Sequence, residues 1–442
     1  MRDILVALIV FGSLPFILRR PWIGILVWSW LGFMNPHRMA WGFVTEMPVA
    51  MIVALTTLVG MLASREPKKI PWTAESIVLA LFVAWMVITT FFAMYPAQAW
   101  LQLEKVVKIQ LMIFVAMMLI TTRERLHLLV WTIALSIGFY GVKGGIFTIL
   151  NGGVHRVYGP PGTFIGGNNE MGLALAMTVP LMYYLYRETK QFYLRWGLAA
   201  AMLLTSLAAI GTHSRGALLG MGAMAVMLWL KSRHKIFTAV LVAAGVGLVY
   251  ALMPPEWFER MASIKTYEED QSARGRIAAW TMAFNMASSR FFGGGFESFQ
   301  WSSFAIYYPG YTGAHDAHSI YFEVLGEHGF VGLALFLTLG LLTWFSAWRI
   351  RRAAETSAEL AWMANLVRMT QVSLVAYAAA GAFLGMAYFD YAYNLVLIVI
   401  VCKAILAARE AGKAPAASSR RPLAQTAGPL PSAPSVRLGN RA

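Results

Sequence analysis

Charged side chains are scarce in this sequence: Asp, Glu, Lys and Arg make up 13% of its 442 residues, whereas 58% are hydrophobic. Soluble globular domains carry about 25% charged residues, so the composition excludes an ordinary water-soluble protein. The hydrophobic residues form continuous runs, for example residues 76–92, which excludes the alternating segments of a membrane β-barrel. The sequence therefore predicts an all-α polytopic membrane protein.

Cysteine is almost absent, and acidic residues are outnumbered by basic ones. The single cysteine, Cys402, lies inside an apolar run, which excludes a disulfide framework and a cysteine-based metal site. The formal net charge is +15. Basic cytoplasmic loops and attraction to anionic lipids explain this excess better than nucleic acid does. We therefore expect membrane lipids as partners, and no nucleic acid.

Twelve apolar runs are candidates for membrane-spanning helices. Groups of Lys and Arg fall at alternate loops between these runs, and such groups mark the cytoplasmic side. Twelve crossings place both termini in the cytoplasm. A further apolar run, residues 3–18, is compatible with a crossing, which would move the N-terminus outside, and equally with a re-entrant or interfacial segment. The twelve runs are residues 22–34, 48–63, 76–94, 107–121, 127–150, 169–187, 195–212, 215–231, 236–253, 327–348, 366–387 and 391–407.

Two segments lack the character of membrane spans. Residues 254–326 form a long external loop in which two stretches are typical of amphipathic helices at a membrane surface. Residues 410–442 are rich in Ala, Pro and Ser, which is typical of a disordered cytoplasmic tail. The predicted organisation is N-terminal transmembrane helices over residues 1–253, the loop, C-terminal transmembrane helices over residues 327–409, and the tail.

Two arginines lie in short external loops, where the charge rule disfavours them. Arg156 is part of NGGVHRVYGPPGTFIGGNNEMG, and Arg215 is part of GTHSRGALLG. Each by itself is compatible with a side chain that reaches lipid headgroups. Together they are expected to line one external cavity. The planar guanidinium group of arginine matches the geometry of phosphate oxygens. The pattern favours a lipid-linked phosphate or diphosphate as the ligand.

Histidines are concentrated in residues 313–330, which read GAHDAHSIYFEVLGEHGF. His318 stands where apolar residues resume, at the mouth of a helix that enters the bilayer. Its reference pKa of about 6.5 suits a general base for a sugar hydroxyl. Asp316 or Glu323 would orient it, and Tyr321 shares its helix face.

Other roles for these histidines remain open on the sequence alone. His315, His318 and a carboxylate have spacing compatible with zinc. No third His or Cys follows at a familiar interval, so no metal is predicted. Histidines that form hydrogen bonds at a membrane interface are the remaining interpretation, and it suits His328 best.

Four short motifs follow one another in the chain: Ser214-Arg215-Gly216-Ala217, Arg276-x-x-x-Trp280, FFGGGFESF and His318-Ser319-x-Tyr321. In this order they resemble the O-antigen ligase and O-antigen polymerase superfamily. The region of resemblance covers about residues 155–350. The N-terminal hundred residues resemble the ligase branch, including putative O-glycosylation ligases found beside exosortase systems.

The resemblance implies a GT-C-type glycosyltransferase of the bacterial inner membrane with its active site in the periplasm. Such a ligase moves a glycan from undecaprenyl diphosphate to a sugar of lipid A–core in lipopolysaccharide biosynthesis, with inversion and without a metal or other cofactor. His318 would then be the general base. Arg215, Arg276 and, as a third group, Arg156 would hold the diphosphate, with Tyr321 shaping the pocket.

Three other functions fit the same residues. A polymerase would use the same donor to elongate a lipid-linked glycan, and a protein O-glycosylation ligase would use a Ser or Thr hydroxyl as acceptor. A transporter of lipid-linked oligosaccharides would bind the phosphate without chemistry. The predicted spans carry almost no charge at mid-depth, which counts against a transport path.

Overall fold

The computed structural model describes residues 1–232, 234–262 and 271–413, and the described part is all-α, as the sequence predicts. From residue 414 on, the predicted tail lies outside the described residues. The described chain forms sixteen α-helices: α1 (Arg2–Arg19), α2 (Trp22–Met34), α3 (Val49–Ala63), α4 (Ala74–Phe91), α5 (Pro96–Leu119), α6 (Arg123–Leu150), α7 (Asn168–Glu188), α8 (Phe192–Gly211), α9 (Arg215–Lys231), α10 (Lys235–Leu252), α11 (Pro255–Ala262), α12 (Gln271–Ser289), α13 (Trp301–Tyr307), α14 (Ile320–Ala354), α15 (Ala361–Gly381) and α16 (Asp390–Lys413).

Six of these helices are long and apolar enough to cross a membrane, judged by length and composition: α4, α6, α8, α10, α14 and α16. Helices α2 and α3 are apolar but shorter. Each of the twelve predicted runs overlaps one of the helices α2–α10 and α14–α16. The expectation of a polytopic membrane protein is confirmed.

Helices α6 and α8 pack closely through glycines. A Cβ at Gly141 would lie 2.2 Å from Thr205 Oγ1, and one at Gly145 would lie 2.3 Å from the carbonyl oxygen of Leu204. Between membrane helices, small residues let the backbones approach and make van der Waals contact. The glycines therefore fix α6, and with it the external loops at its C-terminal end, against α8.

The centre of the bundle is formed by α7, α15 and α16, whose side chains are mostly buried. Pro180 interrupts the hydrogen-bond ladder of α7. The carbonyl oxygen of Met177, one turn earlier, accepts hydrogen bonds from Ser373 Oγ at 2.7 Å and from the Tyr391 hydroxyl at 3.2 Å. Neighbouring helices thus supply hydrogen bonds near the break, as a buried backbone in a membrane protein requires.

Helix α1, which contains the undecided run of residues 3–18, lies beside α3 along its length. The backbone N–H of Gly42, in the loop before α3, donates to the Asp3 carboxylate at 2.9 Å. At the opposite end, a Cβ at Gly60 would lie 2.8 Å from the carbonyl oxygen of Ile17. Since both ends of α1 meet the corresponding ends of α3, α1 extends over the same depth as α3.

Helix α14 starts earlier than the span predicted from residue 327, and it is broken in its first third. It begins at Ile320, and Gly329 has φ 66 and ψ −171, which are not helical angles. The polar residues before the break favoured a loop in the sequence analysis. In the structure they form a first helical segment that packs inside the fold.

Candidate functional site

A cavity of about 280 Å³ lies where α7 and α9 begin and α15 ends, at the side that the charge pattern assigns as external. It is the point where segments distant in sequence meet. The lining residues are Asn169, Ser214, Arg215, Gly216, Ala217, Arg260, Arg276, His318, Ala380, Phe383 and Leu384.

The turn between α8 and α9 places Arg215 at this cavity. Ser214 is the N-cap of α9, and its side chain accepts a hydrogen bond from the backbone N–H of Ala217 at 3.2 Å. His213 has a φ of 56, and its Nε2–H donates to the carbonyl oxygen of Gly153 at 2.8 Å. The turn is therefore held from both sides. Arg215 occupies the first position of the helix, where backbone N–H groups favour an anion.

Arg260, on α11, lies across the same turn. Arg215 Nε–H donates to the carbonyl oxygen of Arg260 at 3.1 Å, and Arg260 Nε–H donates to that of His213 at 3.2 Å. Trp257 is buried, and its Nε1–H donates to the carbonyl oxygen of Ile210 at 3.3 Å. These contacts hold α11 over the turn and bring a second guanidinium group to the cavity.

Arg276 and Trp280 lie one turn apart on α12, so both point to the same side of that helix. Arg276 lines the cavity. Trp280 stacks on Phe322 with ring centroids 5.0 Å apart, and its Nε1–H donates to the carbonyl oxygen of Ala317 at 2.8 Å. The Arg-x-x-x-Trp spacing therefore couples one cavity residue to the loop that carries His318.

His318 lies in the loop before α14 in a strained backbone conformation, with a φ of 43. Burial lowers the pKa of its imidazole; the charge of Asp316 opposes this effect, whereas those of Arg276 and His315 add to it. Because the net shift is downward from 6.5, the ring is neutral at neutral pH. A neutral imidazole at the cavity is able to accept a proton from a bound hydroxyl group.

The described lining of the cavity favours an anion. Three guanidinium groups line it, and none of the described residues in its lining is acidic. Arginine forms strong, directional hydrogen bonds with phosphate oxygens. The sequence predicted that Arg215, Arg276 and His318 lie close to each other, and the structure places all three around this cavity.

Tyr321 and Glu323 lie next to the site and not in its lining. The Tyr321 hydroxyl donates to the carbonyl oxygen of Ala378 at 3.0 Å, which ties α14 to α15. Glu323 Oε2 accepts a hydrogen bond from the backbone N–H of Ala387 at 2.9 Å. Their contacts in the described chain therefore hold helices and loops together around the cavity.

His315 and Asp316 are exposed on the loop before His318. The ring of His315 covers Gly275, where a Cβ would lie 2.9 Å from Nε2. Among the described residues, neither Asp316 nor Glu323 forms a hydrogen bond to the ring of His318. The expected orientation by a carboxylate is thus absent from the described contacts, and Asp316 acts on His318 through its charge.

Arg156 does not join the other arginines in the lining of this cavity and instead lines a second, larger one. Val157 is buried, and its N–H donates to the carbonyl oxygen of Gly211 at 2.9 Å. Side chains alternate in an extended segment, so the flanking Arg156 and Tyr158 are exposed on the other side. The expectation of a single cavity for Arg156 and Arg215 was therefore wrong.

The glycine-rich stretch FFGGGFESF packs against the break in α14. The break leaves carbonyl groups without helical partners, and those of Gly326 and Glu327 accept hydrogen bonds from the N–H groups of Gly294 and Gly295, both at 2.8 Å. Glu327 Oε1 also accepts from the N–H of Glu297 at 2.8 Å. This motif therefore supports the helix that follows His318 and does not line the cavity.

His328, next to the break, is fully buried. Its Nδ1 lies 2.7 Å from Thr89 Oγ1, and its carbonyl oxygen accepts from Trp85 Nε1–H at 2.8 Å. These contacts agree with the interpretation of His328 as a histidine that forms hydrogen bonds within the fold.

Several lining residues were missed by the sequence analysis as site residues. Arg260 is a cation in the external loop, but long loops escape the charge rule, so its position in the sequence is only a weak signal. Phe383 carries no signal, because an apolar residue at the end of an apolar helix is ordinary. Among the described residues, no group of three or more His, Cys, Asp and Glu is arranged to hold a metal ion.

Comparison with known proteins gives matches to two family models. Residues 200–337 match the model described as O-Antigen ligase, and residues 1–190 match that of a family of unknown function, DUF5935. No curated protein matches the chain. The four charged or titratable side chains of the cavity all lie inside the first matched segment. Residues 200–337 are thus similar to the O-antigen ligase family, and that family implies a glycosyltransferase-type enzyme with lipid-linked glycan substrates.

Proposed function

We propose that the protein is an inverting O-antigen ligase, which transfers a glycan from undecaprenyl diphosphate to a sugar hydroxyl of lipid A–core. The observation that carries the proposal is the meeting of Arg215, Arg260, Arg276 and His318 at one cavity whose described lining has no acidic residue. This combination provides a binding site for a diphosphate and a base beside it.

The arginines and the first turn of α9 bind the diphosphate of the donor. Phosphate oxygens accept hydrogen bonds from the guanidinium groups of Arg215, Arg260 and Arg276. As the bond between the anomeric carbon and the phosphate oxygen breaks, negative charge grows on the leaving diphosphate. Fixed positive groups stabilise that charge without needing to reorganise, which lowers the barrier.

His318 removes the proton from the acceptor hydroxyl. The acceptor oxygen then forms a bond with the anomeric carbon on the face opposite the departing diphosphate, so the configuration inverts. Retention by double displacement, as in glycoside hydrolases, needs a carboxylate nucleophile, and the described lining offers none. Most of the catalytic gain then comes from positioning, electrostatic stabilisation and one base.

The reaction takes place at the periplasmic face of the bacterial inner membrane. The Lys and Arg groups of alternate loops assign the cavity end of α7, α9 and α15 to that face. In this topology α1–α10 and α14–α16 cross the membrane. Because α1 extends along α3, the N-terminus is periplasmic and the chain crosses thirteen times, one more than the twelve predicted runs.

The test is transfer in vitro with purified protein, undecaprenyl-diphosphate-linked glycan and lipid A–core. The parent is expected to form glycosylated lipid A–core, and Arg215→Gln is expected to reduce turnover about a hundredfold. Arg274→Gln is the matched control, because Arg274 is an exposed arginine of α12 outside the cavity lining. It should retain the parent's rate.

Each other outcome identifies a rival function. Elongation of the lipid-linked glycan in place of transfer to lipid A–core would identify a polymerase. Transfer only to a Ser- or Thr-containing polypeptide would identify a protein O-glycosylation ligase. Movement of the donor across a vesicle membrane without any new glycosidic bond would identify a transporter.

A further inference from the structure

The larger cavity that contains Arg156 has a volume of about 790 Å³ and takes no part in the mechanism above. It lies between the loop after α2, the C-terminal half of α6 and the loop after α6. Its walls therefore combine residues of the N-terminal region with the segment that leads to α7. The polar and aromatic lining residues are Arg2, Arg38, Trp41, Thr45, Glu46, Tyr140, Lys143, Phe147, Arg156 and Tyr158.

The walls of this cavity are held by specific contacts. The Asp3 carboxylate accepts the hydrogen bond from the N–H of Gly42, which fixes the start of α1 and its Arg2 at the rim. The Tyr140 hydroxyl, on α6, donates to the carbonyl oxygen of Met34 at the end of α2. The cavity is thus a built feature of the fold rather than a gap between unconnected loops.

The charges in the lining are strongly unbalanced. Four cations, Arg2, Arg38, Lys143 and Arg156, face one carboxylate, Glu46. None of the four cations forms a salt bridge with another described residue. Four cations without acidic partners favour a ligand with several negative charges, such as a molecule that carries more than one phosphate group.

Exposed aromatic rings accompany the cations. Trp41 is 91% exposed and Tyr158 is 55% exposed, and both border the cavity. Such rings offer an apolar face together with a polar edge, which suits the alternating C–H and hydroxyl surfaces of sugar rings. The lining therefore matches a phosphorylated saccharide better than a simple phosphate ion.

The two cavities are connected through one loop. Residues 156–161 line the larger cavity, and Asn169, just after the end of the same loop, lines the smaller one. The N–H of Val157 bonds the last residue of α8, Gly211, next to the turn that carries Arg215. The charge of Arg156 also acts on His213 in that turn. A ligand in the larger cavity would therefore lie beside the proposed reaction centre.

We propose that the larger cavity binds the phosphorylated saccharide headgroup of the acceptor glycolipid. This inference rests on the proposed function, since it is the transfer reaction that requires a second saccharide close to the donor. The cations bind phosphate groups of the headgroup, and the rings of Trp41 and Tyr158 pack on its sugars. The cavity would then select acceptors that carry phosphate.

Binding is tested without the donor, using purified protein in nanodiscs of zwitterionic lipid. The probes are lipid A–core, its enzymatically dephosphorylated form, and inorganic phosphate as a competitor. The parent should prefer the phosphorylated form. The double variant Arg38→Gln/Lys143→Gln should bind it at least about tenfold more weakly, because each lost charged hydrogen bond weakens binding by roughly that factor. Affinity for the undecaprenyl-diphosphate-linked donor should stay unchanged.

The matched control is again Arg274→Gln, which removes an exposed cation outside both cavities. Equal binding by the double variant and this control would overturn the proposal. The proposal would also be overturned if the double variant lost as much affinity for phosphatidylglycerol vesicles as for lipid A–core. Such a result would indicate general attraction to anionic lipid. Inorganic phosphate should displace lipid A–core less readily than soluble phosphorylated core oligosaccharide does. Equal displacement by the two would show that the cavity does not recognise the saccharide.

The result also separates this inference from the proposed function. Specific binding that is lost in the double variant, together with no transfer by the parent, would count against the ligase reaction and support the binding site. Normal transfer with unchanged acceptor binding in the double variant would count against the binding site alone. Thermal unfolding of each variant excludes misfolding as the cause.

Discussion

His318 lies among groups that shift its proton affinity in opposite directions. Burial, Arg276 and His315 lower the pKa of its imidazole, and Asp316 raises it. The proposed mechanism requires the neutral ring, so kcat/KM should rise with pH through the pKa of the free enzyme and reach a plateau. Since the net shift is downward, the midpoint of this acid limb should lie below 6.5. A profile that falls as pH rises through this range would contradict the base assignment.

Two substitutions should move that acid limb in opposite directions. Asp316→Asn removes the charge that raises the pKa of His318, so the midpoint should shift to lower pH. Arg276→Gln removes a charge that lowers it, so the midpoint should shift to higher pH, in addition to weaker donor binding. The measurement is kcat/KM against pH for each variant. Shifts in the same direction, or none, would show that another group controls the limb.

Trp280 is expected to act as a positioning residue, because its N–H holds the carbonyl group of Ala317 next to His318. Trp280→Phe keeps an aromatic ring against Phe322 and removes the hydrogen bond. We expect kcat to fall about tenfold with donor KM unchanged, since a small displacement of the base slows chemistry more than binding. Trp301→Phe, at a tryptophan that is 65% exposed, is the control. A rise in KM with an unchanged kcat would argue for a role in binding.

For individual residues, the sequence was informative where a residue type is unusual for its place in the chain. An arginine in a short external loop is costly, and this cost identified Arg215. His318 was identified by its place at the mouth of a helix, and Arg276 only by the family resemblance. Arg156 was misassigned because sequence gives the side of the membrane and not the direction of a side chain in an extended loop. Its placement depends on the burial of Val157, which is a tertiary contact.

The break in α14 is an element on which the site depends. At Gly329, φ is 66, and a Cβ would lie 2.5 Å from the carbonyl oxygen of Phe291. Gly329→Ala should therefore destabilise the protein by about 1–3 kcal/mol. Thermal unfolding in detergent measures this change, with Gly340→Ala as control in the same helix. A Cβ at Gly340 meets no atom within 4 Å, and alanine favours the helix, so the control should be neutral or slightly stabilising.

An equal unfolding temperature for Gly329→Ala and the parent would show that the break is not required.

The existence of the long helices was predictable from the apolar runs, whereas the position at which α14 begins was not. Its first segment, from Ile320 to the break, is polar enough to suggest a loop, and it is helical because it packs against α12 and the glycine-rich stretch. Such pairing between distant segments has no local signal.

For the whole molecule, the decisive property is which ends of the helices face the periplasm. In a Cys402→Ser background, Thr312→Cys should react with a membrane-impermeant maleimide in intact cells, and Lys190→Cys only after the membrane is opened. Arg2→Cys should behave like Thr312→Cys, because α1 extends along α3 and starts at the external loop. Labelling of Arg2→Cys only in opened cells would place the N-terminus in the cytoplasm and contradict the thirteen-crossing topology.

The sequence predicted the polytopic class, because hydrophobic length is a local property. The sides that the positions of Lys and Arg assign to the loops stay a prediction. The sequence left residues 3–18 open, since an apolar run with charged ends fits a crossing and an interfacial helix equally. Only the packing of α1 on α3 distinguishes these arrangements. For the same reason the larger cavity was not predicted: its walls come from segments that are distant in the chain, residues 38–46 and residues 140–161.

The most direct test of the central claim is to measure donor binding and glycan transfer in parallel for His318→Gln. We expect affinity for undecaprenyl-diphosphate-linked glycan to be retained, while transfer to lipid A–core falls about a hundredfold or more. His155→Gln, at an exposed histidine of another external loop, should keep both properties. Transfer by His318→Gln at the parent's rate would contradict the account.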